Sequence, residues 1–219
     1  MKKRTVALLC AAVALLGVIF GGTMAWLNRG TDAVVNTFTT ASVGLALKET
    51  TGPYIMAPGA VLDKDPKVMV YADSASCYLF VVVDQVNFGG EPIIWEPAPG
   101  WEKVDGLEKQ TVYYRVFDED NPGVECTNEK VIVDGKEVEK DVYVYPFLKE
   151  DQVTVSDKLT KDYMSGLKEA GEGGYPKLEF TAYAIQQDYL KNSDGEPITD
   201  AVQAWALLSK KIASDATET

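Results

Sequence analysis

Apolar positions along this chain follow two patterns, and the first is an unbroken run. From Val6 to Phe20, "VALLCAAVALLGVIF", there is no charge or strong polar group, and Lys2, Lys3 and Arg4 stand before it. A basic start, an apolar segment of this length and then small residues make the pattern of a secretory leader. A membrane-spanning helix needs about 20 apolar residues, so a retained anchor requires the run to continue through Gly21, Gly22 and Thr23 to Leu27. Thr23 and Ala25 are small residues at the third-last and last places before a cut at Trp26. The expectation is export with residues 1–25 removed as a signal peptide, and membrane contact only through an uncleaved leader.

Past the leader the period falls to two residues. "VGLAL" (Val43 to Leu47) and "KVMVYA" (Lys67 to Ala72) alternate as half-buried strands do. "CYLFVVVDQVNF" (Cys77 to Phe88) is apolar on both parities and predicts a central strand covered on both faces. "TVYYRVF", "QVTVS" and "KLEFTAYAIQ" add strands rich in β-branched and aromatic residues. In "VIVDGKEV", Asp134-Gly135 predicts a two-residue hairpin turn. Pro58-Gly59, Gly89-Gly90, Pro99-Gly100, Asn121-Pro122-Gly123 and Gly173-Gly174 punctuate these runs. Many short strands at such spacing predict a mainly β, antiparallel two-sheet sandwich.

Two segments have helical spacing instead. "TKDYMSGLKEA" follows Thr160, a good N-cap. "ITDAVQAWALLSKKI" sets Val202, Trp205, Leu208 and Ile212 on one face, which predicts packing against the sandwich. Residues 214–219 have little to bury and are expected to be a disordered tail. Phe38 has the opposite parity to Val43, Leu45 and Leu47. A regular strand cannot put both on one face, so a bulge or break is expected near Thr40 to Ser42. That divides an N-terminal arm, residues 26–39, from a sandwich domain, residues 40–213.

Charge removes some partners. The net charge is −12, and loss of the three basic leader residues takes it to −15. Nucleic acid and anionic lipid are thereby disfavoured. The sequence contains no histidine, which removes Ser-His-Asp and Cys-His catalysis and the usual zinc protease site. No Gly-rich phosphate loop follows a strand. Paired carboxylates of an exported hydrolase are a third reading only, since 33 acidic residues create pairs by chance. No cofactor is expected.

Three constellations remain. In "DEDNPGVECTNE", Asp118, Asp120 and Glu129 fall at places 1, 3 and 12 of a calcium loop, but Pro122 takes a ligand position and the flanks read as strands. A solvated turn is the plainer account. Trp95 and Trp101 in "IIWEPAPGW" are a candidate ligand surface, although two rings covering one end of the core are the favoured account, because aromatic residues supply large buried area. Cys77 and Cys126 outlast the leader, and an exported chain permits a disulfide between them or two free buried thiols.

The stretch "GGTMAWLNRGTDAVVNTFTTASVGLAL" resembles the leader and first strand of TasA/camelysin-type exported proteins, cut by a signal peptidase of the SipW type. Gly21, Gly22, Thr23 and Ala25 match the Gly-Gly-Thr-x-Ala pattern, and Asn36, Thr37 and Phe38 match the Asn-Thr-Phe that follows the arm. "APGAVLDKDPKVMV", "SASCYLFVVV" and "YPKLEFTAYAIQ" with "AVQAWALL" are similar to relatives of this group in Gram-positive anaerobes. The resemblance implies a jelly-roll-like antiparallel β-sandwich with two or more short flanking helices. It also implies secretion and assembly of copies into extracellular matrix or surface fibres of the biofilm. In such fibres an N-terminal strand completes the sheet of the next subunit. The metalloprotease label that some members carry does not transfer to a chain without histidine. Trp26, Val34 and Phe38 share one parity of the arm and would line one face of a donated strand. The alternative is a monomeric cell-surface module that binds glycan or protein through Trp95 and Trp101.

Overall fold

A computed structural model describes residues 36–38, 43–50, 56–108, 110–133, 135–170, 174–188, 190–191 and 195–217. In chain order the strands are β1 (Asn36–Phe38), β2 (Leu45–Lys48), β3 (Val61–Asp63), β4 (Lys67–Tyr71), β5 (Cys77–Val86), β6 (Ile93–Ile94), β7 (Glu102–Lys103), β8 (Thr111–Phe117), β9 (Cys126–Val133), β10 (Lys136–Pro146), β11 (Gln152–Val155) and β12 (Lys177–Gln186). Helix α1 (Lys161–Ala170) precedes β12 and helix α2 (Ala201–Thr217) follows it. The predicted strands are all present. Their order is β1-β12-β5-β8-β7 in one sheet, β2-β4-β10-β9 in a second and β3-β11-β6 in a third. Every pairing is antiparallel except that of β1 with β12. The result is a mainly β sandwich with flanking helices.

β5 explains the architecture. Cys77, Leu79, Val81 and Val83 point into the main core, where they meet Leu45, Val68 and Val70 of the second sheet. Tyr78, Phe80 and Val82, of the other parity, lie under α2 with Trp205 and Leu208. A strand apolar on both faces is thus covered on both, by a sheet and by a helix. Asp200 caps α2 through the Gln203 amide (2.8 Å). Thr160 caps α1 through the Tyr163 amide (3.2 Å), as predicted.

Two expectations about α2 need correction. Its buried stripe is Ala201, Ala204, Trp205 and Leu208, while Val202 is 47% exposed. The small Ala201 and Ala204 let the helix approach the sheet closely, and that alanine-based stripe keeps helical spacing better than one through Val202. The helix also continues through Thr217 into the segment expected to be disordered.

The parity break before Val43 has a plain cause: β1 and β2 belong to different sheets. Thr40 to Ser42, where the sequence predicts an irregularity, lie outside the described residues. Val43 and Leu45 then face the main core, with Leu47 packed against it. Gly44 is required at the entry to β2. A Cβ there would lie 2.1 Å from Cδ2 of Tyr71, whose ring covers the glycine. The buried Ser74 side chain accepts from the Gly44 amide (2.9 Å), and the Tyr71 amide donates to the Gly44 carbonyl (2.9 Å).

β9 and β10 form a hairpin closed by the pairing of Val133 with Lys136, with Gly135 at φ 72°. Its distal half bends back over the outer face of the second sheet. Val131 there is buried in one cluster with Ala46, Met69 and Val142, and Glu129 pairs with Lys48 at the end of β2 (3.3 Å). The outer face of this sheet is therefore covered by the chain's own hairpin.

Candidate assembly edge

The two large sheets end side by side on one flank of the sandwich. β2 is the outermost strand of its sheet, and β12 is outermost but for the three residues of β1. β1 runs parallel to β12, with Asn36 beside Tyr183, Thr37 beside Ala184 and Phe38 beside Ile185. From Lys177 to Ala182 the outer edge of β12 has no ladder partner among the described residues. An unpaired edge presents backbone donors and acceptors that can template another strand. The edge strand's inward residues are Leu178, Phe180, Ala182 and Ala184, all in the main core.

Three elements from three sheets meet at Phe180. Glu49 follows β2 and Lys64 follows β3. The Lys64 ammonium donates to the Glu49 carboxylate, with side chains only 13% and 22% exposed, and stands 5.1 Å above the Phe180 ring. The Lys64 amide is anchored on the Asp151 carbonyl (2.8 Å). Next to it, Asp65 accepts from the amide (2.8 Å) and hydroxyl (3.1 Å) of Thr50 and lies 3.4 Å from Lys67. Burial alone would raise the Asp65 pKa. The Thr50 donors and Lys67 outweigh it and hold the carboxyl below its ordinary 3.8.

The rings of Trp95 and Trp101, the candidate ligand surface, pack at one end of the core. Trp101 is 6% exposed, and its indole donates to the Pro146 carbonyl (2.9 Å). Trp95 is half-buried. Both rings pack on Phe147, at centroid distances of 6.1 Å for Trp95 and 5.3 Å for Trp101, with Tyr113 at 5.6 Å and Phe180 at 5.2 Å completing the set. Burial of two large rings at one end of the sandwich accounts for the motif.

The calcium candidate is a turn. The Asp118 carboxylate accepts from the Asp120 amide (3.0 Å), an Asx-turn, and Glu129 lies away on β9 in its ion pair with Lys48. No group of three Cys, Asp or Glu side chains arranged to hold a metal occurs among the described residues. The cysteine pair is not bonded. Cys77 is fully buried on β5 and Cys126 is exposed at the start of β9. The rings of Phe117, beside Cys77, and Tyr143, beside Cys126, pack together (5.6 Å). Burial pushes the Cys77 thiol up to about 12, and the hydrogen bond to Glu102 raises the Tyr114 phenol likewise to about 12. Both shifts make these groups poorer nucleophiles at neutral pH.

Thr23, Ala25, Trp26 and Val34 lie outside the described residues, and only the strand position of Phe38 is described. Among the described residues no helix is long and apolar enough to cross a membrane. Glu49, Lys64 and Phe180 carry no signal in the sequence as site residues, because their meeting depends on how three sheets come together. No family model, no curated protein and no solved structure matches the chain.

Proposed function

We propose that the chain is an exported, non-enzymatic structural protein whose copies join by exchange of the N-terminal arm at the β12 edge. The reading makes it a TasA/camelysin-type matrix or surface fibre subunit, released by a SipW-type peptidase with its arm starting at Trp26. The observation that carries it is the three-residue parallel ladder of β1 on an edge that has no other ladder partner among the described residues. Such a ladder is held by few hydrogen bonds, each worth about 1 kcal/mol net. An equal ladder from another copy replaces it at no cost in bonding. In the proposed exchange, continuing the register of the incoming arm upstream would set its Val35 beside Ala182 and its Thr31 beside Leu178, which extends the pairing along β12. Main-chain bonds then supply affinity and alternate side chains supply specificity. The charge of −15 keeps unassembled copies apart.

The binding-module alternative loses its main support, since Trp95 and Trp101 pack on Phe147. The test uses two variants, Phe38→Asp and a deletion of Trp26 to Val35, compared with the protein from Trp26 onward. The expected result is polymer from the parent, seen by electron microscopy and size-exclusion chromatography, and soluble monomer from both variants. The deletion variant should keep a near-parental unfolding midpoint. Polymer from the deletion variant at the parental rate removes the arm from the account.

A further inference from the structure

Met69 lies inside the second sheet, beside Ala46 on β2 and Val144 on β10, and is 2% exposed. It shares one cluster with Ala46, Val142 and Val131, and Val131 belongs to β9, two strands away in the sheet order. The hairpin therefore lies over this thioether as a strap. β10 pairs with β4 from Val142 to Pro146, whereas Lys136 to Asp141 pair with β9. That distal half is a two-stranded ribbon, and such a ribbon is marginally stable by itself. It is held down by burial of Val131, by packing of Val133 and Val138, and by the Lys48–Glu129 pair (3.3 Å), whose side chains are 50% and 35% exposed. Lys48 also acts on the ribbon's other strand. Glu137, bonded to Lys130 (2.8 Å), is held below its ordinary 4.5 by Lys130 first and by the Lys48 charge in addition. Exposed pairs contribute little, so the ribbon opens at lower cost than the long β5–β12 ladder.

We propose that Met69 is an oxidation site gated by this strap, and that its sulfoxide keeps the strap from closing. With the ribbon open, a hydroperoxide reaches the sulfur. The sulfur lone pair attacks the terminal peroxide oxygen, an S–O bond forms and the O–O bond breaks. The hydroperoxide proton passes to the leaving oxygen, so the peroxide is reduced to water or an alcohol as the thioether is oxidised to sulfoxide. The new oxygen is polar, and the aliphatic neighbours Ala46, Val131 and Val142 offer it no donor. Return of Val131 over it is then unfavourable. The proposal is independent of how copies join.

In the protein from Trp26 onward the methionines are Met56, Met69 and Met164, and the half-buried Met56 and Met164 serve as internal references. Dilute hydrogen peroxide is applied to the native protein, and oxidation at each site is followed by peptide mass spectrometry. Lys48→Ala and Glu129→Ala should each speed oxidation of Met69 roughly two- to fivefold, the factor that an exposed ion pair confers, with both references unchanged. The paired reversal Lys48→Glu with Glu129→Lys should return the parental rate. Hydrogen exchange on the oxidised parent should then be faster across residues 126–141 and unchanged in β5 and β12, while Met69→Leu treated alike should match the untreated protein. One common Met69 rate in parent and variants, or no oxidation of Met69 in any of them, overturns the gate. Unchanged exchange across residues 126–141 after oxidation, or exchange that rises equally in β5 and β12, overturns the switch.

Discussion

Replacing Gly44 by alanine should destabilise the fold through one identifiable collision. The new Cβ would stand 2.1 Å from Cδ2, 2.5 Å from Cγ and 2.9 Å from Cβ of Tyr71. These are ring and stem atoms, so the whole side chain has to move. Tyr71 packs against the cluster of Ala46, Met69, Val131 and Val142 and lies 5.6 Å under the Lys140 ammonium. Displacing it loses those contacts, and overpacking of this kind costs about 1–3 kcal/mol. For a chain of this length, about 2 kcal/mol corresponds to a fall of roughly 4–8 °C in Tm. The cause is separable from any intrinsic effect of alanine by a double-mutant cycle. With Tyr71→Ala already present the collision is gone, and Gly44→Ala should become neutral or stabilising by up to about 1 kcal/mol, since glycine loses more backbone freedom on folding than alanine. Urea unfolding of the four proteins measures the cycle. An equal loss from Gly44→Ala in both backgrounds would refute the argument that the ring of Tyr71 demands a glycine.

Other expectations follow from single contacts. Trp101→Phe should cost about 1 kcal/mol, because the Pro146 carbonyl loses its indole donor, and Trp101→Ala about 3–5 kcal/mol, both read by chemical denaturation. In the protein from Trp26 onward, maleimide should label Cys126 alone under native conditions and Cys77 only on unfolding, since Cys77 is fully buried with its thiol at about 12; two rapid native labels count against this placement. Asp65, with its pKa held below 3.8 by Thr50 and Lys67 despite burial, contributes stability above its unfolded pKa and loses it as the pH falls through the folded value. Asp65→Asn should therefore lower Tm at pH 7, and the gap to the parent should close below about pH 4; a gap unchanged at pH 2 contradicts the ion-pair account.

Much of the sandwich is legible in the sequence because burial there follows local period. β5 is apolar on both parities and is covered on both faces, and Asp134-Gly135 fixes a hairpin by turn chemistry alone. The parity conflict between Phe38 and Val43 is a local signal of a non-local event, passage of the chain from one sheet to the other. In α2 the apolar pattern of the sequence points to Val202, but size decides which residues face the sheet. Ala201 and Ala204 face the sheet since close approach rewards small side chains there. The short strands β3, β6 and β7 give two or three residues each, too few for a period to register. The proposed assembly edge is the least legible part. An unpaired strand edge is defined by what does not pair with it, and the meeting of Glu49, Lys64 and Phe180 depends on long-range topology. Trp95 and Trp101 look the same in sequence whether they face ligand or core.

The central claim is that the strand beside Ile185 belongs to another copy in the polymer. Two chains test it most directly, one carrying Phe38→Cys and the other Ile185→Cys, each with Cys126→Ser to remove the exposed thiol. Phe38 and Ile185 are register partners, so a disulfide between the two chains requires the arm of one to lie on β12 of the other. Mixed, assembled and oxidised, they should give a covalent heterodimer on a non-reducing gel, formed only in the polymer fraction. If arms stay on their own domains, the mixture gives no heterodimer while a single chain with both cysteines closes an internal disulfide, and that result would contradict the account.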